Sequence, residues 1–197
     1  MKSYVISRAD GHPRWDGVPS LQVNEIMWLP DAGIRMTQRM RYDGENIYML
    51  QTAVEENIRA EHRAADSPVC EDSCMEFFFS PMDDGRYFNL EINPNGCFFL
   101  GTGHGREDLI RLFPDKSAFD IRTERIPGGW TADYRIPLSF IREYYPDYVF
   151  ESGKSFRANC YKCGDLTETP HYLSWNRVSC ATPDFHRPEF FGKMIFE

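Results

Sequence analysis

Tyr87 to Ile92 alternates along its whole length. Tyr87, Asn89 and Glu91 fall on one side of an extended chain, and Phe88, Leu90 and Ile92 fall on the other. Runs of this kind recur from Ile34 to the last residues, and turn-forming residues punctuate them. Ile34 to Tyr42 is followed by Asp43-Gly44 and then Asn46 to Val54, a strong hairpin signal. Met75 to Phe79 is a short apolar run between polar turns, and Asn93-Pro94-Asn95-Gly96 turns the chain into Cys97 to Leu100. Phe119 to Ile126 and Trp130 to Ile136 flank Pro127-Gly128-Gly129, and Phe156 to Tyr161, Tyr172 to Trp175 and Lys193 to Phe196 complete the set. One short helix is predicted over Pro137 to Tyr145, with Pro146 beyond its end. Many short strands with Gly- and Pro-bearing turns specify an all-β fold, a sandwich or a barrel. The stretches Glu55 to Glu71 and Gly101 to Lys116 are read as loops at the sheet ends, where function commonly resides.

No internal repeat or low-complexity linker divides the 197 residues, so residues 1–197 are read as one domain. The formal net charge of −8 and the lack of a basic run disfavour nucleic acid as a partner. No window approaches a membrane span, and no signal-peptide apolar region follows Met1. Read as a native start, this places the protein in the cytoplasm. Cys70, Cys74, Cys97, Cys160, Cys163 and Cys180 are then free thiols.

The sets that could carry chemistry are few. Cys160-x-x-Cys163 with Cys70 and Cys74 could supply four thiolates to zinc. However, strand positions three apart face opposite sides, which favours buried thiols. Thiol redox catalysis needs the pair at a helix start, and the context is β. None of the histidines makes a helical metalloprotease pair, and there is no nucleophile elbow. Gly101 to Gly105 lacks the Lys of a phosphate loop. Asp72, Glu76 and Glu91 could act as paired carboxylates on a glycosidic bond, or could simply accept hydrogen bonds from hydroxyls. Aromatic residues make up 15% of the chain. Tyr172, Trp175, Asn176, Arg157, Asn159 and Tyr161 combine flat rings with polar groups on two neighbouring strands. A sugar needs that mixture, since it has a C–H face and a hydroxyl edge.

Asp72-Ser73-Cys74-Met75-Glu76-Phe77-Phe78-Phe79 resembles the D-S-x-x-E-F-F element of family 9 carbohydrate-binding modules. Tyr87 to Gly96, Gly129-Trp130-Thr131-Ala132-Asp133-Tyr134-Arg135-Ile136-Pro137, Ser174-Trp175-Asn176 and Pro183 to Gly192 resemble later elements of that family, in its order. The resemblance implies an antiparallel β-sandwich that binds a mono- or oligosaccharide without catalysis. By the same resemblance, Trp175 is one of two rings that clamp a terminal sugar, and Glu76 is a polar partner. Cys70 stands where the second ring belongs, so that ring is missing. Some members hold structural calcium, but no ligand cluster for it is visible here.

The expected site is therefore Trp175 helped by Tyr172 and Tyr161, with Glu76, Arg157 and Asn159 orienting the sugar, and with no catalytic residue or metal. Two alternatives stand beside it. One is an interaction domain that kept the fold and lost the sugar site. The other is a glycan-processing enzyme using paired carboxylates.

Overall fold

The computed structural model describes residues 1–64 and 67–197. Residues 65 and 66, within the loop predicted over 55–71, lie outside the described residues. In chain order the strands are β1 (Ser3–Arg8), β2 (Leu21–Val23), β3 (Glu25–Ile26), β4 (Arg35–Tyr42), β5 (Asn46–Val54), β6 (Cys74–Ser80) and β7 (Tyr87–Ile92). They continue with β8 (Phe98–Gly103), β9 (Ile110–Arg111), β10 (Arg122–Ile126), β11 (Gly129–Pro137), β12 (Ser155–Cys163), β13 (Tyr172–Ser174) and β14 (Gly192–Phe196).

Two curled sheets face each other. The first runs β1-β14-β12-β6-β7-β8-β9, with β13 sharing an edge of β12 and holding β3; the second runs β10-β11-β5-β4, with β2 alongside β4. β1 belongs to both: Ser3 to Ile6 pair with β14, and Ser7 and Arg8 pair with β4. Strands that switch sheets in this way make the corners of sandwiches. The expected all-β sandwich is present, and its pairing is antiparallel except at these two junctions, which are parallel.

Both predicted hairpins form. Tyr42 pairs with Ile47, and the Asp43 carboxylate accepts from the amides of Glu45 and Asn46 at 2.7 Å. Ile126 pairs with Gly129 across Pro127-Gly128, where Gly128 takes φ +74°, which an L side chain resists. The predicted helix is α2 (Leu138–Arg142). A second helix, α1 (Lys116–Phe119), corrects the expectation of one. The Asp115 carboxylate accepts from the Ser117 amide at 2.9 Å and caps α1, so the chain becomes extended again at Arg122 rather than at Phe119. The predicted loop from Gly101 also carries the end of β8 and the short β9.

Alternation decides which side chains fill which layer. Met75, Phe77 and Phe79 of β6, Phe88, Leu90 and Ile92 of β7, and Phe156, Ala158 and Cys160 of β12 point between the sheets. There they meet Met36, Met49, Trp130, Ala132 and Tyr134 of the second sheet. Each such large side chain contributes about 1.5–3 kcal/mol on burial. The opposite face of the first sheet is not left to solvent. Cys74, Phe78, Tyr87, Tyr161 and Cys163 pack there under Met27, Val69, Phe185 and Phe191 from covering segments. No helix among the described residues is long and apolar enough to cross a membrane.

Candidate functional site

On that covered outer face, Tyr161 of β12, Glu76 of β6 and Glu91 of β7 stand in one cross-strand row. A cavity of about 190 Å³ opens over the row, lined by Trp28, Cys70, Glu76, Glu91, Arg106, Cys163, Asp165, Tyr172, Pro183, Asp184, Phe185 and His186.

Its floor is a carboxylate pair. Glu76 is 3% exposed, and it lies directly opposite Glu91 in an antiparallel ladder, where facing side chains are about 5 Å apart. Burial, then the charge of Glu91, pushes the Glu76 carboxyl well above the ordinary range. Burial pushes Glu91 up to about 7; Asp165 adds to this, and a hydrogen bond from Asn89 (2.9 Å) opposes it. At neutral pH such a pair retains a proton, so the floor can both donate to and accept from hydroxyl groups.

The walls are aromatic on one side. Trp28 and Tyr172 meet edge to face at 5.6 Å between ring centres, and both abut Phe185. Trp28 adopts φ +51°, a left-handed turn that β-branched and bulky residues seldom take. Its indole N–H donates to the Cys180 carbonyl at 3.0 Å, which fixes the ring. The Tyr172 hydroxyl interacts with Asp165, whose own carboxyl is raised by burial. Exposed Arg106 faces the carboxylates from the segment between β8 and β9, its Nε 3.4 Å from Asp184 Oδ1. Opposite, the Tyr87 hydroxyl and His186 Nδ1 lie 2.7 Å apart. Burial, then the charge of Arg106, pushes His186 down to about 4, so it is neutral.

Of the six residues read from the sequence, Glu76 and Tyr172 line this cavity, and the other four do not. Trp175 is 4% exposed inside the main core, and its ring lies where a Cβ on Gly192 would fall 2.4 Å from Cζ3. A ring this far from solvent cannot stack on a sugar, so the structure places Trp175 in packing instead. Asn159 is fully buried: its Oδ1 accepts from the amides of Cys160 (3.0 Å) and Asn176 (2.9 Å), and its Nδ2 donates to the Asn176 carbonyl at 2.7 Å. That side chain splices the segment after β13 onto β12 and, being fully buried, lies out of a ligand's reach. Tyr161 is fully buried beneath Phe185, stacked at 4.1 Å, with its hydroxyl donating to the Phe185 carbonyl. Arg157 lies elsewhere and donates to the carbonyls of Glu189 and Phe191 at 3.1 Å.

The Asp72-Ser73 pair of the first motif is also structural. Buried Asp72 accepts from the amides of Glu61 (3.0 Å) and His62 (2.9 Å) and from Asn93 Nδ2 (2.9 Å). Ser73 Oγ donates to Glu55 Oε2 at 3.0 Å. Cys70 does lie on the cavity wall, and the ring accompanying Tyr172 there is Trp28. Sequence reasoning missed Trp28, Asp165 and Arg106. Its available signal was a Trp beside Leu29-Pro30-Asp31, a turn-forming setting in which a large ring has no local core to enter.

The family model for Carbohydrate-binding family 9 matches residues 14–196. The chain belongs to that family. A structure of a protein from Bacteroides uniformis, provisionally described as carbohydrate-binding, is 26% identical with a TM-score of 0.86, covering 100% of this chain and 99% of that one. A family 9 module from Caldicellulosiruptor kristjanssonii in complex with glucose is 13% identical with a TM-score of 0.68, covering 100% and 96%. The same organism's module in complex with cellotriose is 12% identical with a TM-score of 0.68, covering 100% and 94%. No curated protein matches the sequence.

Proposed function

We propose that the outer-face cavity binds one terminal sugar residue of a mono- or oligosaccharide and does not turn it over. The observation that carries this is the joining of an aromatic corner, Trp28 and Tyr172, to a protonated carboxylate pair within about 190 Å³. Pockets for drug-sized ligands run from about 300 Å³ upward, so this volume suits a single ring. The aromatic corner covers the C–H face. Glu76, Glu91, Asp165 and Arg106 surround the hydroxyl edge. Family membership and the glucose and cellotriose complexes of the Caldicellulosiruptor modules support the same ligand class. Four carboxylates against Arg106 make the cavity unwelcoming to phosphate.

The carboxylate pair also invites comparison with glycosidases, whose two groups flank the scissile bond from opposite sides. Here both rise from adjacent positions on one sheet face, which places them on the same side of any ring in the cavity. Screening on a glycan array followed by calorimetry on each hit tests binding. Chromogenic glycosides of the same sugars test turnover. Binding lost in Tyr172→Ala, with no hydrolysis, is the expected result; hydrolysis lost in Glu76→Gln would overturn it.

A further inference from the structure

Cys163 and Cys74 are directly paired across β12 and β6, and Glu76 follows Cys74 by two positions on the same face. One ligand atom from each lies within 4.8 Å of the other two, and all three residues are buried. We propose that Cys74, Cys163 and Glu76 form a binding site for a thiophilic divalent cation of the zinc class, reached through the sugar cavity.

The residue types match that ion. Two thiolates and one carboxylate are ordinary zinc donors, and three protein ligands leave the fourth tetrahedral position to water. Zn–S bonds of about 2.3 Å set neighbouring ligand atoms roughly 3.5–3.8 Å apart, so side-chain rotations of about 1 Å would close the site. Cys163 and Glu76 border the cavity, which gives an ion its entry path, while Cys74 lies behind them, fully buried. Cys160, three positions from Cys163, points between the sheets and takes no part. The tetrathiolate reading of the sequence therefore fails on strand geometry, yet Cys163 finds a partner across the ladder.

The lining also suits a cation, which would be drawn to its carboxyl oxygens more than a neutral group would. Glu76, Glu91, Asp165 and Asp184 line the cavity together with Arg106, and Arg106 is already engaged by Asp184. Without a metal, burial pushes the Cys74 thiol up to about 12, a hydrogen bond with Cys74 and then burial push Cys163 up, and burial pushes the Glu76 carboxyl up. A cation would displace their protons, so binding releases acid. The inference does not rest on sugar binding.

The test is titration of the reduced, metal-free chain with Cd(II) and with Co(II), reading the thiolate-to-metal charge-transfer absorption. One equivalent should produce the band, and bound Zn(II) should protect Cys74 and Cys163 from alkylation as mapped by mass spectrometry. Cys74→Ser and Cys163→Ser, each checked for an unchanged circular dichroism spectrum, should lose the band. Glu76→Gln should keep some thiolate signal with affinity at least about tenfold weaker. Cys180→Ser should match the parent. No charge-transfer band in the parent, protection at other cysteines, or a band that survives Cys74→Ser would each overturn the proposal. The alkylation map on the unaltered chain decides the matter even if a variant fails to fold.

Discussion

Lys162 Nζ lies 3.2 Å from Glu55 Oε1, with both side chains sealed from solvent between the two sheets. The ammonium also donates to the Cys163 carbonyl at 2.9 Å and lies 2.7 Å from His171 Nε2. Glu55 in turn accepts from the Trp130 indole at 2.7 Å and from Ser73 at 3.0 Å. The pair rivets β12 to the end of β5, directly behind the strand that carries Cys163. A buried pair is not stabilising in itself, but breaking it strands a charge. Glu55→Gln should therefore cost about 3–5 kcal/mol in denaturant unfolding. The double variant Glu55→Gln/Lys162→Met should recover a substantial part of that loss. Equal destabilisation in the single and double variants would show that the charge pairing is not what matters.

Trp175 and Tyr172 lie three positions apart and should respond oppositely. Trp175→Ala should destabilise by about 3–5 kcal/mol, because it empties a filled core site. Tyr172→Ala should leave the melting temperature nearly unchanged and weaken sugar binding by about tenfold, roughly 1.4 kcal/mol. Trp28→Ala should also weaken binding. Calorimetry and thermal melts on the same preparations separate the two classes.

Acid should weaken the fold through histidines that stay neutral when folded. His186 and His171 are both pushed down to about 4, mainly by burial. Unfolded, they titrate near 6.5, so between about pH 6.5 and 4 the unfolded chain binds more protons. Stability is thus full above about pH 6.5, falls as the pH drops toward 4, and gains no further loss from these groups below that. Each group contributes up to about 3 kcal/mol. His186→Gln should flatten this slope in urea midpoints measured from pH 7 to 5.

Asp72→Ala should loosen the segment through Glu61 and His62 by removing the acceptor for both amides and for Asn93. Asn93 Nδ2 keeps its bond to the His62 carbonyl (2.9 Å), so the loss falls on the two part-buried amides, at up to about 1–3 kcal/mol each. Limited proteolysis should then cut first near this segment, whereas the parent should resist there.

How far the sequence reveals this arrangement depends on the range of the forces involved. The alternation of Tyr87 to Ile92 correctly separates the face carrying Glu91 from the face carrying Leu90, because strand period is local. The Pro127-Gly128 turn is local too. Trp175 took its expected role from motif resemblance, which marks its place just past β13 but not which way its ring turns. What seats its ring is the space left by Gly192, which only tertiary packing reveals. Trp28 reaches the cavity because Ile26 pairs with Leu173 and a left-handed turn swings the ring over Phe185. The turn-forming Leu29-Pro30-Asp31 hints at the second event, but nothing around Trp28 specifies the first.

The switching strand β1 also bears on the order of folding. It joins Ser3 to Lys193 on one side and Arg8 to Tyr42 on the other. The contact with β4 needs a modest loop, whereas the contact with β14 closes nearly the whole chain. Loop entropy must be overcome before such distant pairings stabilise anything. The second sheet can therefore mature early around the β4–β5 hairpin. The seam between β1 and β14 must wait for the last strand, and locking that seam should be the slow step in refolding.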